Sequence, residues 1–225
     1  LVPSDQRRWR ADPLRSARNL HALAAEYMVS THLYCHQQPL ASLMPFYQSS
    51  EFHHCIMEGT SLAVEFGRWM MGCAAELTPM IKLETIIAER RRQFAHPGSG
   101  EPWALSECVD VFHGPVGLVE AYDTLHAHLP TDPNEFLARL LSAKRPDAVA
   151  LPWNMTKTEG VIVDISIQGG MGHGPPVLMA FLDAMRFGAT HATTSEMLRV
   201  QGIESSDIAD VLAGLVEDGL IVNND

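Results

Sequence analysis

A seven-residue run of chain breakers, His96-Pro97-Gly98-Ser99-Gly100-Glu101-Pro102, constrains this sequence more than any other feature. Two prolines and two glycines in seven positions deny the segment both helix and strand. The spacing of apolar residues also changes across it. Before it, Leu14, Ala17, Leu20, Ala24 and Met28 recur at helical intervals, which predicts a helix over 14–36. Pro39 and Pro45 bracket a connector. Ser49-Ser50-Glu51 then caps a helix through Phe52, Cys55, Ile56, Leu62, Ala63, Phe66 and Met70, bent at Gly59. Thr78-Pro79 opens a further helix that ends in Arg90-Arg91-Arg92, where cations complement the helix dipole. This pattern predicts a helical domain over 1–96.

After the breakers the pattern alternates, predicting a second domain over 103–225. A strand is expected near 108–112 and a helix over 116–125. Asp132-Pro133-x-Glu135 marks another helix start. Val161, Val163, Ile165 and Ile167 alternate with Ile162, Asp164 and Ser166, the clearest strand of the chain, which the glycines from 169 onward stop. Residues 176–225 read as three helices and a strand: 177–187, a short one capped by Thr194-Ser195, one carrying Ile208, Val211, Leu212 and Leu215, then 220–222. That order is winged-helix-like. The fold class expected is α+β: a helical bundle, then a small mixed α/β domain ending in the winged-helix-like unit.

Charge narrows the partners. Of the formal net charge of −11, residues 1–95 carry +1 and residues 96–225 carry −12. A winged helix suggests DNA, but residues 176–225 set Arg186 and Arg199 against eight acidic groups. The third helix offers no Arg, Lys, Asn or Gln to a major groove. Nucleic acid is therefore not expected. Four cysteines without a C-x-x-C pair fit neither a disulfide framework nor a zinc ribbon. No signal peptide or membrane-spanning segment is read from the chain, and a reducing cytoplasm is the expected compartment.

Few motifs carry chemistry. Glu51-x-x-His54 is half of a helical di-iron pattern, which needs a second copy and two further carboxylates. Cys35-His36 with His54-Cys55 offers four zinc ligands, but neighbours on a helix point apart. The nine histidines outside the 53–54 pair are read as showing no ligand spacing. Gly169, Gly170, Gly172 and Gly174 lack the pattern of a phosphate loop, and no G-x-S-x-G, H-E-x-x-H or S-x-x-K occurs. No catalytic residue, metal ligand or cofactor is assigned to this chain, and a free-standing enzyme is not expected. What remains is binding: a strand over 161–167, if at a sheet edge, can pair with an incoming peptide beside the third helix. The candidate peptide-binding residues are Val161, Val163, Ile165, Ile167, Ile208 and Val211.

The N-terminal run Tyr47, Phe52, Phe66-Gly67-Arg68-Trp69 and Leu77-x5-Leu83-Glu84-x5-Arg90-Arg91, followed by Phe112-His113-Gly114-Pro115-Val116 and the closing segment, resembles partner subunits of multinuclear iron-dependent oxidases. The nearest in kind are those of 3-thiaglutamate and methanobactin biosynthesis. The resemblance implies that iron and oxygen chemistry reside in a separate TIM-barrel subunit. The partner pairs with it as a heterodimer, binds a ribosomally made precursor peptide and presents a cysteine of that peptide to the iron. Arg68, Trp69 and Met70 are the expected oxidase-facing residues. Two alternatives are a small helical metal-dependent oxidase built on Glu51 and His54, and an acidic winged-helix regulatory or interaction protein.

Overall fold

Tyr27 divides what the apolar period draws as a single first helix. In the computed structural model, which describes residues 13–92, 95–142, 151–166 and 170–224, helix α1 spans Pro13–Glu26 and α2 spans Met28–Gln37. Tyr27 between them has φ −107° and ψ 53°. Its fully buried hydroxyl donates to the Ala63 carbonyl at 2.8 Å and lies 3.1 Å from Thr85 Oγ1. A buried phenol needs such a partner, and meeting it costs the helix its continuity. The connector becomes a 3-10 segment, Leu40–Gln48, carrying Pro45.

Helix α3, Ser50–Glu58, starts as expected, with Ser49 accepting the Phe52 N–H at 3.1 Å. Gly59 does more than bend it. At φ 68° it ends the helix in the left-handed region that glycine enters without strain, and Ser61 caps a separate helix α4, Leu62–Cys73. A 3-10 turn, Ala75–Leu77, leads into α5, Thr78–Arg91. Helices α6, Leu118–Ala127, and α7, Pro133–Ser142, follow later in the chain. Asp132 caps α7 by accepting the N–H groups of Asn134 and Glu135, both at 2.9 Å.

The chain divides into two units, Leu1–Ala88 with Glu120–Pro152, and Glu89–Val119 with Trp153–Asp225. The first is helical. The ring of Phe46 forms its aromatic centre, with the rings of Tyr47, Phe52, Phe66 and Trp69 all within 5.6 Å, centre to centre. The expected domains, 1–96 and 103–225, differ from this division at two points. Helix α7, whose Phe136 and Leu140 are buried, packs on α1 and so belongs with the helical unit. The break near the middle of the chain falls at 88/89, ahead of the breaker run.

The second unit holds both sheets. Strands β2 (Val109–Val116), β3 (Asn154–Asp164) and β4 (Met171–Gly174) form an antiparallel sheet in that order, with Val111 opposite Ile162 and Val161 opposite His173. Strand β1, Trp103–Leu105, pairs antiparallel with β5, Ile221–Asn223. Between them in sequence come α8 (Pro176–Met185), α9 (His191–Val200) and α10 (Ile208–Glu217). Thr190, rather than Thr194, caps α9 by accepting the Thr193 N–H. Met179, Leu182, Leu198, Ile208, Leu212 and Ile221 bury against Leu105, Val109 and Val111 to form the core. The α+β class expected from the sequence is the class observed. Among the described residues no helix is long and apolar enough to cross a membrane.

The breaker run is a packed corner of this second unit. His96 is buried, and Gly98 donates to the Arg186 carbonyl at 2.8 Å. A Cβ on Gly98 would collide with the backbone of Phe187 and Gly188. The Asn224 amide donates to the carbonyls of Ser99 (3.0 Å) and Glu101 (2.6 Å). Beside the corner lies a buried ion network. Asp110 on β2 pairs with Arg186 and lies 3.5 Å from Arg90 Nε, while Arg186 also donates to the Val111 carbonyl. His96 Nε2 is 2.9 Å from both the Val109 carbonyl and Arg90 Nη1. Burial, more than the nearby arginines, pushes the His96 pKa below its ordinary value.

Candidate functional site

The β1–β5 sheet places a strand edge beside an apolar groove. Strand β1 is held on one side by β5 and on the other by a bridge from Trp103 to Ala189. Strand β5 is the edge strand, with no further strand beside it among the described residues. The groove next to it, about 690 Å³, runs between α9 and α10. Trp103, Ile208, Leu212 and Val216 supply its apolar lining, and Arg199 and Glu217 contribute opposite charges. Trp103 Nε1 donates to His191 Nδ1 at 2.8 Å, which places the proton of a neutral His191 ring on Nε2. Arg199 is anchored by Glu196 at 2.8 Å and by Ser205 at 3.3 Å.

The groove follows from local sequence. Every third or fourth residue of α10 (Ile208, Leu212, Leu215) turns inward, and the small residues Ala209 and Ala213 leave room beside Val216. Asp207, Asp210, Glu217 and Asp218 are exposed on the same segment. Divided along the structural units, the second carries −8 and the helical unit −3, so the acid remains concentrated where the groove lies. A second groove of about 550 Å³ lies between α8 and α9, lined by Phe181, Met197 and Val200 among others.

The residues singled out in the sequence are dispersed. Val161 and Val163 are buried on β3, the middle strand of its sheet, with β2 and β4 pairing on either side. Residues 161–163 therefore offer no free backbone edge to a peptide. The strand itself starts earlier than expected and stops at Asp164, whose side chain accepts the Ser166 N–H at 2.8 Å. Ile165 lies past the strand end and donates its N–H to the Cys108 carbonyl. Ile167 lies outside the described residues. Ile208 lines the β5 groove, whereas Val211 packs on the core behind it. Periodicity marks a strand but not its neighbours, and β5, three residues long, is too short to show a period.

On the helical unit, Arg68 is exposed and paired with the buried Glu65 at 2.6 Å, Trp69 is half-buried, and Met70 is fully buried in the core. Met70 therefore offers a partner no surface. Glu51 is bonded to Ser50 at the start of α3, and His54 is exposed. Among the described residues, no group of three potential metal ligands includes Glu51, His54, Cys35 or Cys55. Burial pushes the Cys35 thiol up to about 11, which keeps it protonated and unreactive.

One reading of the histidines needs correction. His32 and His36 are four residues apart on α2, a spacing that puts both on one face, and their Nε2 atoms are 3.1 Å apart. The pattern His-x-x-x-His was present in the sequence. Burial, His36 and Arg139 together lower the His32 pKa to about 4, so that ring is neutral.

Comparison with protein-family models, with curated proteins and with solved structures yields no match.

Proposed function

We propose that this chain is a non-catalytic, peptide-binding partner subunit of a multinuclear iron-dependent oxidase, working in the cytoplasm on a cysteine of a ribosomally made precursor peptide. The observation that carries the reading is the edge of β5 alongside the α9–α10 groove. A peptide added to that edge as a strand would gain main-chain hydrogen bonds. Its alternate side chains would enter the groove. In this reading α8, α9 and α10 with β5 form a winged-helix-like unit adapted to peptide, and the docking edge is β5 rather than β3. Iron belongs to the TIM-barrel partner, which the resemblance of the helical half supplies. Arg68 and Trp69 remain on the surface offered to it.

Co-expression of the full chain with an iron oxidase encoded beside it, and with the precursor peptide of the same cluster, tests this. The expected result is a stable heterodimer whose peptide affinity falls when Val216 is changed to Asp. A chain that purifies alone, and a peptide whose binding ignores Val216→Asp, would overturn it.

A further inference from the structure

We propose that His32 and His36 on α2 form a two-imidazole site for a borderline divalent cation of the Zn²⁺, Ni²⁺ or Cu²⁺ class. The inference is independent of the peptide-binding reading and concerns the other structural unit.

The geometry carries it. A tetrahedral ion with metal–nitrogen bonds of about 2.0–2.1 Å sets its ligand atoms about 3.3–3.4 Å apart, and a right-angled pair sits about 2.9 Å apart. The two Nε2 atoms, at 3.1 Å, lie between these values, so a small turn of the rings suffices to aim both lone pairs at one ion. Both rings sit half-buried on a regular helix, with centroids 4.5 Å apart, so their positions are fixed before a ligand arrives. Without metal, one Nε2 donates its proton to the other. On binding, each ring keeps one proton, on Nδ1, and both Nε2 lone pairs pass to the cation.

The donor set decides the class of ion. Two imidazoles and no carboxylate suit Zn²⁺, Ni²⁺ and Cu²⁺ better than Mg²⁺ or Ca²⁺. Among the described residues no third His, Cys, Asp or Glu joins the pair. Water or a donor from another molecule completes the shell. Two features hold affinity down: His36 Nδ1 is buried without a hydrogen-bond acceptor, and the Arg139 guanidinium repels positive charge at His32.

The test uses the full chain labelled with ¹⁵N-histidine and titrated with Zn²⁺ below one equivalent. The Nε2 resonances of His32 and His36 are expected to shift first and together. His36→Asn should weaken Zn²⁺ binding about tenfold or more, and Arg139→Gln should strengthen it several-fold. Shifts that begin at other histidines, or a Zn²⁺ affinity that His36→Asn leaves unchanged, would overturn the site. The resonance measurement on the native chain stands even where a variant folds poorly.

Discussion

Glu84 on α5 accepts the backbone N–H groups of Val29 and Ser30, at 2.9 Å and 3.0 Å, through its two carboxylate oxygens. The side chain is buried, and the two donors belong to the first turn of α2, a helix that has no side-chain cap of its own. A residue 54 positions away in sequence therefore does what a local Ser or Asp normally does. It also brings negative charge to the positive end of the helix.

Removing that carboxylate leaves two buried donors unpaired. Glu84→Ala is expected to lower unfolding free energy by about 2–4 kcal/mol, and Glu84→Gln, which keeps one acceptor, by about 1–2 kcal/mol. Urea denaturation of the intact chain followed by circular dichroism measures both. A loss near zero for Glu84→Ala would mean that water fills the cap at no cost.

Asp110 pairs with both Arg90 and Arg186, and Arg186 Nε also lies 3.7 Å from Asp183. Asp110→Asn takes the carboxylate from the buried Arg90 guanidinium, while Arg186 keeps Asp183, and is expected to cost about 3–5 kcal/mol. Arg186→Met removes one cation while preserving the Asp110–Arg90 pair, so it should cost less. Equal losses in the two variants would show that packing, not charge balance, sets the effect.

His32 gives the helical unit an acid-sensitive element. Its folded pKa of about 4 lies below the ordinary 6.5, so the unfolded chain takes up this proton first as pH falls. The stability it contributes is complete above about 6.5 and is lost progressively toward about 4. Measured from pH 7 to pH 4, stability should fall more steeply in the native chain than in His32→Gln. Parallel profiles would contradict the assignment.

The groove beside β5 is testable without disturbing the core. Val216 is 39% exposed. Val216→Asp should therefore leave the melting temperature nearly unchanged while reducing precursor-peptide affinity at least about tenfold, some 1.4 kcal/mol. Met57→Asp on the helical unit is the matched control and should leave peptide binding intact. If the acidic unit attracts a basic stretch of peptide, affinity should also fall as salt rises. Salt-independent binding would leave only the apolar lining to account for it.

Much of the local structure was legible. Ser49 before α3 and Asp132 before α7 are caps that the sequence marks and the structure uses, because a cap is a contact over three residues. The exposed acidic face of α10 was equally plain. Other features were obscured by non-local demands. The split at Tyr27 depends on partners at Ala63 and Thr85. The pairing of β3 on both sides depends on β4, a strand inside a glycine-rich stretch that reads as a turn. The His32–His36 pair was visible by spacing alone, but its 3.1 Å approach needed both rotamers.

By itself, the sequence determined the helical periods, the caps of α3 and α7, the α+β class and the uneven placement of acid. These follow from neighbours along one chain segment and from composition. Tertiary structure decided what the breaker run does and which strands lie on the outside of their sheets. His96 to Pro102 forbids regular structure, but only the approach of Arg186, Gly188 and Asn224 makes it a packed corner. An alternating run promises a strand, but whether its hydrogen-bonding groups are free depends on segments far away in sequence. That is why β3 is paired on both sides, while three residues near the end of the chain form an outer strand beside Trp103 and α10.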